Sequence, residues 1–176
     1  MYFSAGAHST TWNAFRAHGP TCARFDHHDP PPRGQAKGIV YACSEPTTCL
    51  AEVFQATRVV DRTSRAPWLV AFETVRDLTL LDLTGPWPTR AGASMAIASG
   101  PRPRARRWSR AIYAAYPAVE GLWYGSSMHA NKPCVALYER ASSALPTAPT
   151  FHRALVDPTL GDRISAAANT LGYLVV

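Results

Sequence analysis

Apolar residues in this chain gather in short, bounded clusters, and the spacing within each cluster predicts its element. Ile39-Val40-Tyr41-Ala42-Cys43 is a compact apolar run that predicts a short buried strand. The Pro- and Gly-rich stretch before it, residues 29–38, predicts an exposed loop. Ser44 or Glu45 then opens a helix with Pro46 in its first turn, where proline's missing N–H has no helical partner to lose, and this helix is expected to run to about Ala56. Leu50, Val53, Phe54 and Thr57 recur along it at helical spacing, and Glu52 lies off the centre of that stripe, free to point into a cleft. Residues 68–75 and 78–83 read as two strands joined by a tight turn at Arg76-Asp77. Turns and one short helix are expected over 85–100, then a helix over 104–116 that Pro117 ends. Strands at 121–125 and 133–139 follow, with 126–132 between them. A Ser/Ala/Pro-rich connection over 141–150 leads to a helix over 158–171 and a last strand over 173–176. Strands outnumber long helices and do not alternate regularly with them, which favours an α+β fold with mixed or antiparallel sheets over a doubly wound one. No internal repeat is visible, and 176 residues suit a single domain, 1–176.

Composition narrows the class. No run of about eighteen apolar residues occurs and the first residues lack the basic-then-apolar order of a signal peptide, so a soluble cytoplasmic protein that does not engage membranes is expected. In that compartment the four cysteines, Cys22, Cys43, Cys49 and Cys134, should stay reduced. Cys22, His27 and His28 are near one another in sequence, but no second ligand pair follows at zinc spacing, so no metal is expected; the histidines read as solvated loop residues beside small buried thiols. The formal charge is +6, and every basic residue except Lys37 and Lys132 is an arginine. The densest cluster, Arg102, Arg104, Arg106, Arg107 and Arg110, is suited to nucleic-acid phosphates, an acidic protein partner or an anionic cofactor, or is simply a solvated helix face.

Three separated stretches carry more specific chemistry: Arg24-Phe25-Asp26, Tyr41 followed by Glu52, and Gly121-Leu122-Trp123-Tyr124-Gly125-Ser126. Ser126 sits just past a strand, yet Tyr124 and Met128 stand where a Gly-x-Ser-x-Gly elbow would need other residues, so a serine nucleophile is not indicated. Over roughly residues 13–140 these stretches resemble the RES-domain family, whose Arg, Glu and Ser would be Arg24, Glu52 and Ser126. The chain departs from that pattern at Met1–Thr11, which is small and polar where the family commonly opens with a strand.

The resemblance implies a bacterial toxin that degrades NAD, on a fold near that of the ADP-ribosyltransferases. It also implies a cognate antitoxin of the helix-turn-helix type, with a homo-oligomer or a hetero-oligomer with that antitoxin as possible assemblies. NAD would be the substrate, inorganic phosphate the co-substrate, and no prosthetic group is required. Cleaving the nicotinamide–ribose bond releases an already cationic leaving group through an oxocarbenium-like transition state, so positioning and charge stabilisation matter more than acid catalysis. In that scheme Arg24 grips the pyrophosphate, Tyr41 and Tyr124 line the ring site, Glu52 stabilises positive charge at the anomeric carbon, and Ser126 hydrogen-bonds the substrate. Each has a plainer alternative: Arg24 paired to Asp26 on the surface, Tyr41 in the core, Glu52 exposed on its helix, and Ser126 or its competitor Ser127 capping a turn.

The acceptor sets the reaction: phosphate makes an NAD phosphorylase, water an NAD glycohydrolase, and a protein side chain an ADP-ribosyltransferase. Outside this class stand a non-catalytic nucleic-acid-binding module using Arg102–Arg110 with Trp108 for stacking, and a catalytically silent protein whose arginine-rich helix docks onto an acidic partner. Direct nucleic-acid binding is not the expected role.

Overall fold

The computed structural model describes residues 1–6 and 10–176, and its elements run in chain order as β1 (Tyr2–Phe3), β2 (Arg16–Gly19), β3 (Arg33–Cys43), α1 (Pro46–Phe54), β4 (Val59–Val60), β5 (Pro67–Ala71), β6 (Leu80–Asp82), α2 (Trp87–Arg90), α3 (Ala96–Ser99), α4 (Arg102–Ala115), β7 (Gly121–Gly125), β8 (Pro133–Tyr138), β9 (Phe151–Ala154), α5 (Gly161–Leu171) and β10 (Leu174–Val175). The result is an α+β fold with one mixed, one antiparallel and one parallel sheet. Two 3-10 turns, Glu139–Ala144 and Pro158–Leu160, precede β9 and α5 respectively.

The main sheet has the order β2-β3-β8-β7-β6 and is antiparallel except for the β6–β7 pair. Its longest strand, β3, starts well before the predicted Ile39. Residues 33–38, expected in a loop, extend the strand because β2 offers them a hydrogen-bonding partner, with His18 opposite Gly34 and Gly19 opposite Arg33. The prolines that signalled a loop end at Pro32, just outside the strand, where a missing N–H breaks no ladder.

The expected hairpin of residues 68–75 and 78–83 does not form. Both edges of β5 are taken, by β1 on one side and β9 on the other, so β6 joins the main sheet parallel to β7. The crossing segment is tied at Arg76, whose guanidinium donates to the Glu120 carboxylate at 2.6 and 3.1 Å and to Ser143 Oγ at 2.9 Å, and at Val75, whose N–H donates to Ala144 O. The N-terminus also departs from expectation: Tyr2 and Phe3 pair with Trp68 and Pro67, and the Tyr2 ring stacks on Trp68. Residues 7–9 of the small, polar N-terminal stretch lie outside the described residues. Among the described residues no helix is long and apolar enough to cross a membrane.

Two cores result. The first packs Ile39, Leu122, Tyr124, Ala136 and Tyr138 of the main sheet against Ala105 and Ile112 of α4, with Phe25 and Leu83 fully buried among them. The second gathers Leu50 and Phe54 of α1, Ile164, Ala167 and Ala168 of α5, and Val60, Leu155 and Tyr173. Helix α5 ends at Gly172, in the left-handed conformation at φ +67°, where Tyr173 N–H closes back on Ala168 O and turns the Tyr173 ring into the core. Val53, assigned to the apolar stripe of α1, is instead 37% exposed; the buried face of that helix is Thr48, Leu50, Ala51 and Phe54.

Candidate functional site

Helix α1 buries Leu50 and Phe54 and thereby turns Glu52 and Val53 outward, into a cavity of about 400 Å³. Across that cavity stand Arg24, from the loop after β2, Tyr41 of β3 and Tyr124 of β7. Four of the five sequence-assigned residues therefore line one space, a size ordinary for small-ligand sites.

The fifth, Ser126, lies behind that space and acts through its neighbours. It is 1% exposed, and its Oγ accepts the backbone N–H of Met128 and of His129, each at 3.1 Å. With its lone pairs engaged, the hydroxyl donates its hydrogen to Glu52 Oε1 at 2.6 Å, a charge-assisted bond. The hydroxyl thus caps a turn and orients the carboxylate, while it is Ser127 that lines the cavity. The turn is held by Ser126 N–H to Lys132 O and Asn131 N–H to Ser126 O.

Gln55 completes the restraint on Glu52. One helical turn on, its Nε2 donates to Glu52 O at 2.7 Å and approaches Glu52 Oε2 at 3.4 Å, and its Oε1 accepts from Arg102 Nη2 at 2.6 Å. Arg102 also lines the cavity, so the arginine cluster divides: Arg102 faces the site while Arg104 and Arg107 flank Trp108 at a separate depression on α4. Arg24 Nη1 donates to Gly100 O at 2.5 Å, and no carboxylate comes within ion-pair distance of it among the described residues. Burial lowers the proton affinity of Arg24, and the nearby positive charge of Arg102 lowers it further, against the opposing pull of Glu52 and Tyr124. Two guanidinium groups against the single carboxylate of Glu52 leave an excess of positive charge at the cavity, which favours an anionic ligand there.

The tyrosines sit between core and cavity. Tyr124 is buried against Phe25, ring centroids 4.7 Å apart, and burial drives its hydroxyl well above the ordinary range. Burial raises the Tyr41 hydroxyl likewise, and its oxygen has no hydrogen-bond partner among the described residues. Both therefore remain neutral phenols, so their rings offer faces and edges rather than charge.

Two alternatives weighed from sequence are corrected. Arg24 does not pair with Asp26: Asp26 is fully buried and accepts from Arg16, from Thr21 N–H and Oγ1, and from His28. Burial alone would raise the Asp26 carboxyl, but those donors outweigh it and hold it below the usual carboxylate range. His27 and His28 are not solvated, because both are fully buried. His28 bridges Asp26 Oδ1 (2.6 Å) and Lys37 O (2.9 Å), and its ring fills the space a side chain at Gly19 would need, at 2.5 Å from a Cβ there. His27 stacks on Tyr113 at 4.4 Å, and its nearest carboxylate oxygen, on Glu139, is 3.6 Å away, beyond hydrogen-bond reach. Burial lowers the His27 imidazole to about 4, against the opposing pull of Glu139. Together these contacts fasten the Arg24 loop to the main sheet.

Sequence reading did not single out Gln55 or give Arg102 a place in the site. Gln55 was findable as the polar residue three positions after Glu52 on the same helix face. Arg102 was hidden among five arginines of which it alone turns to the cavity.

A family model described as RES domain matches residues 2–156. No curated protein and no solved structure matches the chain.

Proposed function

The chain belongs to the RES-domain family, a membership consistent with an NAD-acting domain of the toxin–antitoxin kind, and on that premise we propose that it is a toxin that degrades NAD by phosphorolysis of the nicotinamide–ribose bond. The observation that carries this reading is the Ser126 Oγ to Glu52 Oε1 bond of 2.6 Å at a cavity that Arg24, Tyr41 and Tyr124 also line. In the proposed scheme the diphosphate of NAD lies against Arg24 and Arg102, and the nicotinamide ring packs on Tyr41 and Tyr124. Glu52, its carboxylate fixed by Ser126 and Gln55, faces the anomeric carbon and stabilises the positive charge that grows as nicotinamide leaves. A carboxylate already oriented before substrate arrives need not reorganise during the reaction, which is what makes such stabilisation effective. Inorganic phosphate then bonds to the anomeric carbon, and the products are nicotinamide and ADP-ribose phosphate. Ser126 acts in this scheme as a positioning residue for Glu52.

A protein that removes NAD needs a neutralising partner, and the reading includes an antitoxin of the helix-turn-helix type. The test is NAD loss by purified protein with and without inorganic phosphate, with products separated chromatographically. Phosphate-dependent formation of an ADP-ribose phosphate is the expected result, and Glu52→Gln should reduce the rate by at least about 100-fold. Phosphate-independent loss would replace phosphorolysis by hydrolysis. Retained cleavage in a folded Glu52→Gln protein would overturn the role of the carboxylate, and no loss under either condition would overturn the reading itself.

A further inference from the structure

Cys43 and Cys134 are direct cross-strand partners in the β3–β8 ladder. The next pair along, Ser44 with Pro133, is joined by Ser44 N–H to Pro133 O at 3.0 Å. Bonded and non-bonded pairs alternate in an antiparallel ladder, so Cys43 and Cys134 form a non-hydrogen-bonded pair, the kind that brings side chains closest. Their sulfurs are 3.0 Å apart. Cys43 lines the cavity, two residues along β3 from Tyr41, whereas Cys134 is buried beneath the sheet surface. A third thiol, Cys49 of α1, also lines the cavity and neighbours Cys43. All four cysteines are free. The reaction scheme above uses none of them.

We propose that Cys43 and Cys134 constitute a reversible disulfide site in the cavity wall, closed by exchange with a small-molecule disulfide of the glutathione class. The Cys43 thiol loses its proton to solvent, and its thiolate attacks one sulfur of the incoming disulfide; the small disulfide bond breaks and one small thiol leaves. Cys134, reachable only through Cys43, then attacks Cys43 Sγ and expels the second small thiol, which takes up the Cys134 proton. The protein dithiol is oxidised, the small disulfide is reduced to two thiols, and nothing else is consumed. The ladder register selects Cys134 over Cys49 as the resolving thiol, because the strand pair fixes it opposite Cys43 whereas Cys49 sits on a separate helix. The thiol–thiol hydrogen bond with Cys134, which Cys43 gives up on losing its proton, is the first cause raising the Cys43 thiol, pushed up to about 12, so exchange accelerates as pH rises above neutral.

The experiment equilibrates the full chain in glutathione buffers running from reducing to oxidising, quenches with acid, alkylates in denaturant, and reads intact mass and a peptide map. Expected are a link between the peptides holding Cys43 and Cys134 with the loss of two hydrogens, continued alkylation of Cys49, faster closure at alkaline than at neutral pH, and full reversal by excess dithiol. Cys134→Ala should stop at a glutathione adduct on Cys43, and because the main measurement uses the unaltered chain, a folding failure of that variant leaves the test intact. Four alkylated cysteines at the most oxidising poise, a Cys43–Cys49 link, or a persistent glutathione adduct on Cys43 of the unaltered protein would each overturn the proposal. None of these readouts depends on NAD, so the proposal and the assigned activity fail separately.

Discussion

Replacing Ser126 by Ala removes one oxygen and breaks three hydrogen bonds at once. The bond to Glu52 joins a hydroxyl to a carboxylate, and such bonds are worth about 1.5–3 kcal/mol. If that energy serves to hold the carboxylate where positive charge develops, its loss lowers kcat/KM by about 10- to 150-fold. The two N–H groups of Met128 and His129 also lose their acceptor in a site that is 1% exposed, with a further cost of about 1–3 kcal/mol in stability. For a chain of this length that lowers Tm by about 3–10 °C. The assay is NAD loss at saturating and limiting substrate, alongside a thermal melt monitored by circular dichroism. Ser127→Ala is the comparison, since Ser127 lines the cavity but takes no part in restraining Glu52, and its activity should stay within about threefold of the parent. Two results refute the reasoning: Ser126→Ala melting several degrees lower with unchanged kcat/KM, which makes the bond purely structural, or Ser127→Ala carrying the larger kinetic loss.

Arg102→Ala should raise KM for NAD about tenfold with kcat nearly unchanged, because a contact to a non-reacting diphosphate contributes equally to ground and transition states; steady-state kinetics at fixed phosphate checks this, and an unchanged KM would take Arg102 out of the site. His27 gives a pH prediction of definite sign. Its folded proton affinity is depressed to about 4 while the unfolded imidazole titrates near its ordinary value of about 6.5, so the unfolded chain binds the proton first, and stability falls as pH drops through that interval and levels off below it. The total is about 3 kcal/mol at most, of which about 2 kcal/mol is lost between neutral pH and about pH 5 and is read there as the shift in urea midpoint; His27→Phe, which keeps the stack on Tyr113, should remove most of that shift.

The sequence made the site's members legible more readily than their arrangement. Tyr41, Glu52 and Tyr124 were legible because each lies on an element whose local pattern is strong, namely a five-residue apolar run, a helix opened by proline, and the strand before residues 126–132, whereas Arg24 lies in a loop and was singled out by its motif alone. What failed depended on distant partners. Residues 33–38 are loop-like by composition and strand by pairing, since β2 supplies the hydrogen bonds that their own side chains do not advertise. Likewise β5 and β6 look like a hairpin until β1 and β9, short strands at the edge of detectability, occupy both sides of β5. Burial of His27 was illegible for the same reason, as it follows from the aromatic rings of α4 and β8 closing over a loop far away in sequence.

Helix α1 is rooted through Leu50 and Phe54 in the core it shares with α5, yet its Glu52 is locked to Ser126 at the end of a strand belonging to the other core. The cavity is therefore a seam, and whatever occupies it acts as a rivet. A ligand that touches Arg24 and Tyr124 on one bank and Glu52 and Val53 on the other makes parting the two banks equivalent to dissociation. Occupancy then reaches α5, a helix that does not line the cavity, and ties its persistence to the presence of a ligand there.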